Sequence, residues 1–304
     1  SFSAYQDMVI GIEGTPRAQL SDTVNVATPG ELKSLIADSL VSKIGLLKVN
    51  GTINSTDMKL IRQMAGLDTL GEVSRGNLHT LDLSEATIVA GGEPYLKDNS
   101  LLLSTADNQM PERGFYGSRS LRTLLLPDNI TTLGPGALSG LSALDSVSLP
   151  EGADKNYVVV NHQVLSKDST ILLAVLPHAG SRVEVDKKVR VVGAYAMAGM
   201  HGASELVFPE TVDSLGSYAV ANAVGLQAIR VNGKKVIPTG FQVFSGVNAA
   251  NITLYVRAGQ KDVFARSANW SAFTKVVEFG TTIRARSTRR EYGENNGNEN
   301  SECT

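Results

Sequence analysis

The sequence predicts an α/β-like repeat solenoid, a coil of short units carrying one curved sheet of short parallel strands. Two recurring phrases and their shared step predict it. The first phrase runs apolar, Gly, two variable residues, small, apolar, one variable residue, Gly. Met110-Pro111-Glu112-Arg113-Gly114-Phe115-Tyr116-Gly117 and Leu133-Gly134-Pro135-Gly136-Ala137-Leu138-Ser139-Gly140 are copies 23 residues apart. Val192-Gly193-Ala194-Tyr195-Ala196-Met197-Ala198-Gly199 and Leu215-Gly216-Ser217-Tyr218-Ala219-Val220-Ala221-Asn222 again stand 23 apart, and Thr239-Gly240-Phe241-Gln242-Val243-Phe244-Ser245-Gly246 follows after 24. A step of this size marks a supersecondary unit that cannot bury its apolar side alone and must stack on its neighbours.

The second phrase lies between the copies. Leu121-Arg122-Thr123-Leu124-Leu125-Leu126-Pro127 aligns with Leu144-Asp145-Ser146-Val147-Ser148-Leu149-Pro150, and Ala203-Ser204-Glu205-Leu206-Val207-Phe208-Pro209 and Leu226-Gln227-Ala228-Ile229-Arg230-Val231 repeat it. Its apolar residues alternate, the period of a strand with one buried face. Proline cannot donate to a ladder, so it closes the strand. Leu124, Leu126, Val147, Leu149, Leu206, Phe208, Ile229 and Val231 are therefore expected inside. The glycine phrase turns the chain, and its small-apolar pair packs the opposite wall.

In chain order, residues 1–21 read as a lead-in without period and residues 22–76 as an N-terminal capping unit. Thr28-Pro29-Gly30-Glu31 predicts a helix start with Thr28 as cap, burying Leu32, Leu35, Ile36 and Leu40 on one face. Leu46 to Gly51 predicts a strand, and Ser55 or Thr56 a cap for a second helix carrying Leu60, Ile61, Met64 and Leu67. A solenoid needs such an atypical end unit to cover its first repeat. The array spans 77–280, with a hairpin insert near 156–180 and a closing unit at 251–280 that contains Trp270. Residues 281–304 read as a polar, disordered tail with an arginine cluster.

The two phrases together resemble the BspA-type leucine-rich repeat of bacterial surface proteins over roughly residues 77 to 280. The segment Tyr157 to Ala174 is similar to that family's hairpin insert, and Leu254 to Phe273 to its closing unit. The cysteine common after the last glycine of the family's return limb is replaced by Ser118, Leu141, Met200 and Val247. The resemblance implies a right-handed coil, a secreted or bacterial cell-surface location, and adhesion to host matrix proteins or neighbouring cells.

Composition excludes several classes. The hydrophobic fraction of 42% and 304 residues suit a folded domain with a sizeable core, and no run of eighteen apolar residues exists to span a membrane. A net charge of -2 gives no bulk attraction to nucleic acid or anionic lipid. The only cysteine, Cys303, excludes disulfide bracing and a cysteine-ligated metal. His79, His162, His178 and His201 form no metal-binding spacing, and the last three read as exposed loop histidines. Gly233-Lys234 lacks the earlier glycine of a phosphate loop, since Ala228 stands there. Lys187, Lys188 and Arg190 read as a solvated basic face.

The expectation is thus a monomeric binding module with no catalytic residue, metal or cofactor, whose partner is a protein, such as a matrix protein, or a glycan. Strand residues that alternate with the buried ones face outward, and Arg182, Glu205, Arg230 and Tyr255 would form a mixed charged and aromatic stripe, with Leu125 and Val207 adding apolar surface. Two alternatives stay open. One is an accessory enzyme with carboxylates between Glu93 and Glu112, and the other is a passive spacer.

Overall fold

Each turn of the coil lays down one short strand, bends and returns. In the computed structural model, which describes residues 20–280, strands of successive turns pair in parallel into two coil sheets. The first sheet runs in the order Leu20–Val26, Ile44–Ile53, Thr80–Asp82, Thr123–Leu125, Ser146–Ser148. The second runs Arg182–Glu184, Glu205–Phe208, Ala228–Val231, Thr253–Arg257, Lys275–Phe279. The expected tail, with Cys303 and the arginine cluster, lies outside the described residues, as does the lead-in before Leu20.

Register sets each repeat phrase on the next: Leu124 beside Val147, Leu206 beside Ile229, Ile229 beside Leu254. Equivalent apolar residues therefore form columns, and Leu124, Leu126, Leu206, Phe208, Ile229 and Val231 are buried as expected. Val147 and Leu149 are only half-buried, against expectation. Ser146–Ser148 is the last strand of its sheet, so no strand covers its far side. Leu126→Ala is expected to cost about 2–5 kcal/mol, read as a lower urea midpoint with an unchanged slope. A loss below about 1 kcal/mol would mean that the wall is able to collapse around the gap.

The return limbs are also bonded turn to turn. Tyr195 N donates to Ser217 O at 3.0 Å and Tyr218 N to Phe241 O at 3.0 Å. The fourth residue of the glycine phrase is left-handed in every copy: Arg113, Gly136, Tyr195, Tyr218 and Gln242 all have positive φ. Four of these five carry a side chain at the strained position, and neighbouring turns use three of them. Tyr195 and Tyr218 stack at 5.0 Å, Tyr218 meets Phe241 edge-on at 5.7 Å, and Arg113 reaches across Gly136 to the Tyr195 ring at 5.3 Å. Gly199 is required at its place because a Cβ there would lie 2.5 Å from Gly140 Cα.

That contact shows how the insert is spliced in. The return limb at 133–140 stacks directly on the one at 192–199, with Gly140 N donating to Ala198 O at 2.8 Å. The turn bearing Ser146–Ser148 therefore contributes a strand but no return limb of its own. In place of the limb stands an antiparallel meander, Tyr157–Val160, Gln163–Ser166, Ile171–Val175, whose last strand pairs with Val191–Val192. The meander is a wall between two cores. Val164 and Ala174 face the N-terminal core, while Leu165 and Leu172 face the C-terminal one. The strand ladder parts at this wall, and the two coil sheets end on either side of it.

The N-terminal unit departs from expectation in three respects. Leu20–Val26 is a strand paired in parallel with Ile44–Ile53 and burying Val24 and Val26, where the lead-in was expected to run to residue 21 and no strand was expected before Leu46. The first helix is a single turn, Leu32–Leu35, because Ile36 is already extended; Leu32 and Ile36 are buried but Leu35 is exposed. Its orphan amides are capped from a distance by Asp57, which accepts from Gly30 N and Leu32 N at 2.6 and 2.9 Å, and not by Thr28. The second helix, Ser55–Met64, is capped by Asn54, not by Ser55 or Thr56. Asn54 accepts from Thr56 N and Asp57 accepts from Asn54 N, a capping box. Asp57 thus ties both helix starts together.

Candidate functional site

The outward face of the second coil sheet is built by register alone. Arg182, Glu205, Ala228, Thr253 and Lys275 form one row across its five strands, and Glu184, Val207, Arg230, Tyr255 and Val277 form the next. Arg257 and Phe279 pair one row further on. Ala228 is the small residue in the first row, between Glu205 and Thr253.

Those side chains join into one line. Arg182 Nη1 meets Glu205 Oε1 at 2.5 Å, and Arg230 Nε approaches the same oxygen at 3.8 Å. Glu184 adds a looser contact to Arg182 at 3.5 Å. The Glu205 carboxylate, hydrogen-bonded to Arg182, raises the affinity of that guanidinium for its proton. Arg230 then lies over two rings, Tyr255 at 4.9 Å and Phe279 at 4.5 Å, and Arg257 covers Phe279 at 5.0 Å. Exposed ion pairs contribute at most about 1 kcal/mol each, so this line is a weak source of stability. Its effect is to fix the position of Arg230, a cation held by one carboxylate and two aromatic faces.

The structure brings Arg182, Glu205, Arg230 and Tyr255 together as one stripe. It does not bring in the two apolar candidates. Val207 is fully buried, because its row neighbours Glu184 and Arg230 and its strand neighbour Glu205 all stand taller than a valine. Leu125 is half-buried in the first coil sheet, between Asp82 and Ser148, across the break from the stripe. Phe279, Arg257 and Val277 were missed. Lys275-Val276-Val277-Glu278-Phe279 lacks the apolar alternation of the strand phrase, so only its place after Thr253-Leu254-Tyr255-Val256-Arg257 could have marked it, and Arg257 is two residues past Tyr255 on the same face.

Elsewhere the titratable groups are dispersed. His162, His178 and His201 are exposed, and His178 Nε2 lies 3.0 Å from Asp145 O. Glu93 pairs with Lys59 at 3.0 Å and Glu112 lies 3.6 Å from Arg113, so each carboxylate sits on its own cation. Among the described residues no three His, Cys, Asp or Glu side chains are grouped to hold a metal, and no helix is long and apolar enough to cross a membrane.

Six copies of the family model for the BspA type leucine rich repeat region match residues 99–160 and 180–281, more than half of the chain. The chain belongs to the BspA-type leucine-rich repeat family. The gap between the matched segments covers the last two strands of the meander, where the coil itself is interrupted. The BspA-type chain is similar to a leucine-rich repeat protein from Eubacterium ventriosum at 18% identity and a TM-score of 0.41, covering 71% of this chain and 67% of that one. It is similar to the pneumococcal vaccine antigen PcpA at 12% identity and a TM-score of 0.39, covering 78% and 74%. A leucine rich cell surface protein from Faecalibacterium prausnitzii matches at 16% identity and a TM-score of 0.42, covering 80% of this chain and 65% of that one. No curated protein matches the chain at a significant level.

Proposed function

We propose that the BspA-type chain is a secreted or bacterial cell-surface binding module, without catalysis of its own, that holds a protein or glycan ligand on the outward face of its second coil sheet. The observation that carries this reading is the seating of Arg230 between Glu205, Tyr255 and Phe279, in a line that runs from Arg182 to Arg257 across five consecutive strands. A pre-positioned arginine beside aromatic rings is the side-chain combination that anchors interfaces, because little rotamer freedom is left to lose on binding. Family membership supports the surface location, since a stacked coil presents a long face to partners.

The test is binding to arrays of immobilised matrix proteins and glycans. Arg230→Ala and Tyr255→Ala should each weaken the best ligand by roughly 30-fold, about 2 kcal/mol, the threshold of a binding hot spot. Neither should shift the melting temperature measurably, because both side chains lie on the outer face. Full binding by both variants would move the site off this face.

A further inference from the structure

Inside the coil the strand ladder is broken at one place, between Ser146–Ser148 and Arg182–Glu184, and the break leaves backbone groups open. Arg182–Glu184 pairs on one side only. Glu205 N donates to Ser181 O at 3.0 Å and Val185 N to Val207 O at 3.0 Å, so odd-numbered residues serve that neighbour. The even-numbered backbone groups point the other way. Among the described residues, the N–H and C=O of Arg182 and the N–H of Glu184 have no hydrogen-bond partner. A groove of about 400 Å³ runs along this edge, lined by Asn161, Gln163, Ala179, Arg182, Glu184 and Lys187 among others.

One side chain already does there what a neighbouring strand would do. Gln163 is 5% exposed; its Nε2 donates to Glu184 O at 2.9 Å and its Oε1 accepts from Asp186 N at 3.0 Å. A residue of a parallel strand bonds in this same pattern, its N–H to the carbonyl of one residue and its C=O to the N–H two residues on. The Gln163 amide therefore stands in for one residue of an added parallel strand, the one that would pair with Val185. The register it sets leaves the preceding step vacant, at Arg182 O and Glu184 N. Among the described residues Lys187, at the C-terminal end of the edge, has no ion-pair partner, whereas Arg182 is matched by Glu184 and Glu205.

We propose that this edge is a docking groove for a short extended peptide of a partner protein, which adds as a parallel strand in the register of the Gln163 amide. Its last paired residue accepts from Glu184 N and donates to Arg182 O, and the peptide ends where the Gln163 amide takes over, its terminal carboxylate facing Lys187. Main-chain bonds supply the affinity and the carboxylate the direction, as in other strand-addition complexes. The groove uses the backbone of Arg182 and not its side chain. Loss of ligand by Arg230→Ala therefore bears on the outer face alone.

Hydrogen exchange on the full chain tests it, with the peptide acetyl-Thr-Val-Thr-Val-Glu bearing a free C-terminus as probe. Without peptide, the Arg182 and Glu184 amides should exchange rapidly while Val185 is protected by its bond to Val207 O. Saturating peptide should slow both open amides by ~10-fold or more. Glu184→Pro removes one donor from the groove without touching the pairing with Glu205–Phe208, and should abolish this protection at Arg182; Glu184→Ala should keep it. Lys187→Glu, with native circular dichroism, should weaken the peptide severalfold. Its C-terminal-amide, glutamine form should bind the wild-type chain equally weakly. Protection of Arg182 and Glu184 in the free chain would overturn the proposal. So would equal binding by the Pro and Ala variants, no slowing at saturation, or protection of Lys275–Phe279 instead.

Discussion

Trp270→Ala is expected to lower the unfolding free energy by about 3–5 kcal/mol, the range for removing a buried tryptophan or phenylalanine. Trp270 is 1% exposed and is the hub of the closing unit. Phe244 lies 4.9 Å from it, Phe264 5.2 Å and Phe273 6.0 Å, centroid to centroid, the first two in edge-to-face geometry. Its indole Nε1 donates to Ile237 O at 2.8 Å, a bond that ties the closing unit to the preceding turn. Alanine removes the ring from three aromatic contacts at once and strands that carbonyl. Trp270→Phe keeps part of the ring volume and loses only the bond, so it should cost less. Urea unfolding of the two variants decides the matter. Equal losses would assign the effect to the hydrogen bond and not to the packing.

The same substitution reaches the ligand face. Lys275–Phe279 is the outermost strand of its sheet, held on one side by Thr253–Arg257 and tied to the helix Lys261–Ala265, where Lys261 N donates to Glu278 Oε1 at 2.9 Å. Phe279 is one of the two rings under Arg230. An edge strand that frays carries away that ring first. Trp270→Ala should therefore weaken ligand binding as well, with amide exchange accelerated over 275–279 before the rest of the array.

The repeat phrase made most of the array legible, because in a solenoid one spacing fixes which residue stands beside which. Leu206 beside Ile229 and Arg182 beside Glu205 follow from a step of 23 residues and the period of a strand. Four kinds of feature were not legible. The height of a side chain relative to its row neighbours decides Val207, and alternation carries no such information. A break in the ladder decides Val147 and Leu125, and it comes from the meander taking the place of a return limb. Capping across sequence distance decides the first helix, where Asp57 does from 25 residues away what Thr28 was expected to do nearby. The left-handed fourth positions were hidden as well, because Tyr195 and Tyr218 stand where glycine would have marked the conformation. Local rules failed where the deciding contact comes from another turn of the coil.

Arg62 is the clearest such contact, and its removal is the other change with a large expected effect. The side chain is 1% exposed, on the second helix of the capping unit. Its Nη1 donates to Arg113 O at 3.1 Å and also to Gly114 O, and its Nη2 to Asp68 O at 3.2 Å. The guanidinium carbon sits 5.8 Å from the Tyr95 ring centroid. Burial pulls Arg62 down to about 10, which still leaves it protonated at neutral pH. The sign is that of a base disfavoured by folding: the folded chain loses this proton before the unfolded one. The burial penalty is therefore present at neutral pH and relaxes as pH rises past about 10. Three carbonyls and a ring face offset it, and together they pin the cap to the first return limb. Arg62→Ala leaves those carbonyls facing a cavity and should cost about 2–5 kcal/mol, the range for a large buried truncation, with the unmet acceptors adding to it. Arg62→Met likewise removes the charge and the donors but fills much of the space, so the carbonyls go unmet without a cavity and it should cost less. Unfolding in urea at pH 7, with amide exchange at 113–117, distinguishes the two. If the alanine variant unfolds at the wild-type midpoint, the cap is held by its apolar face alone, and the buried charge serves something other than stability.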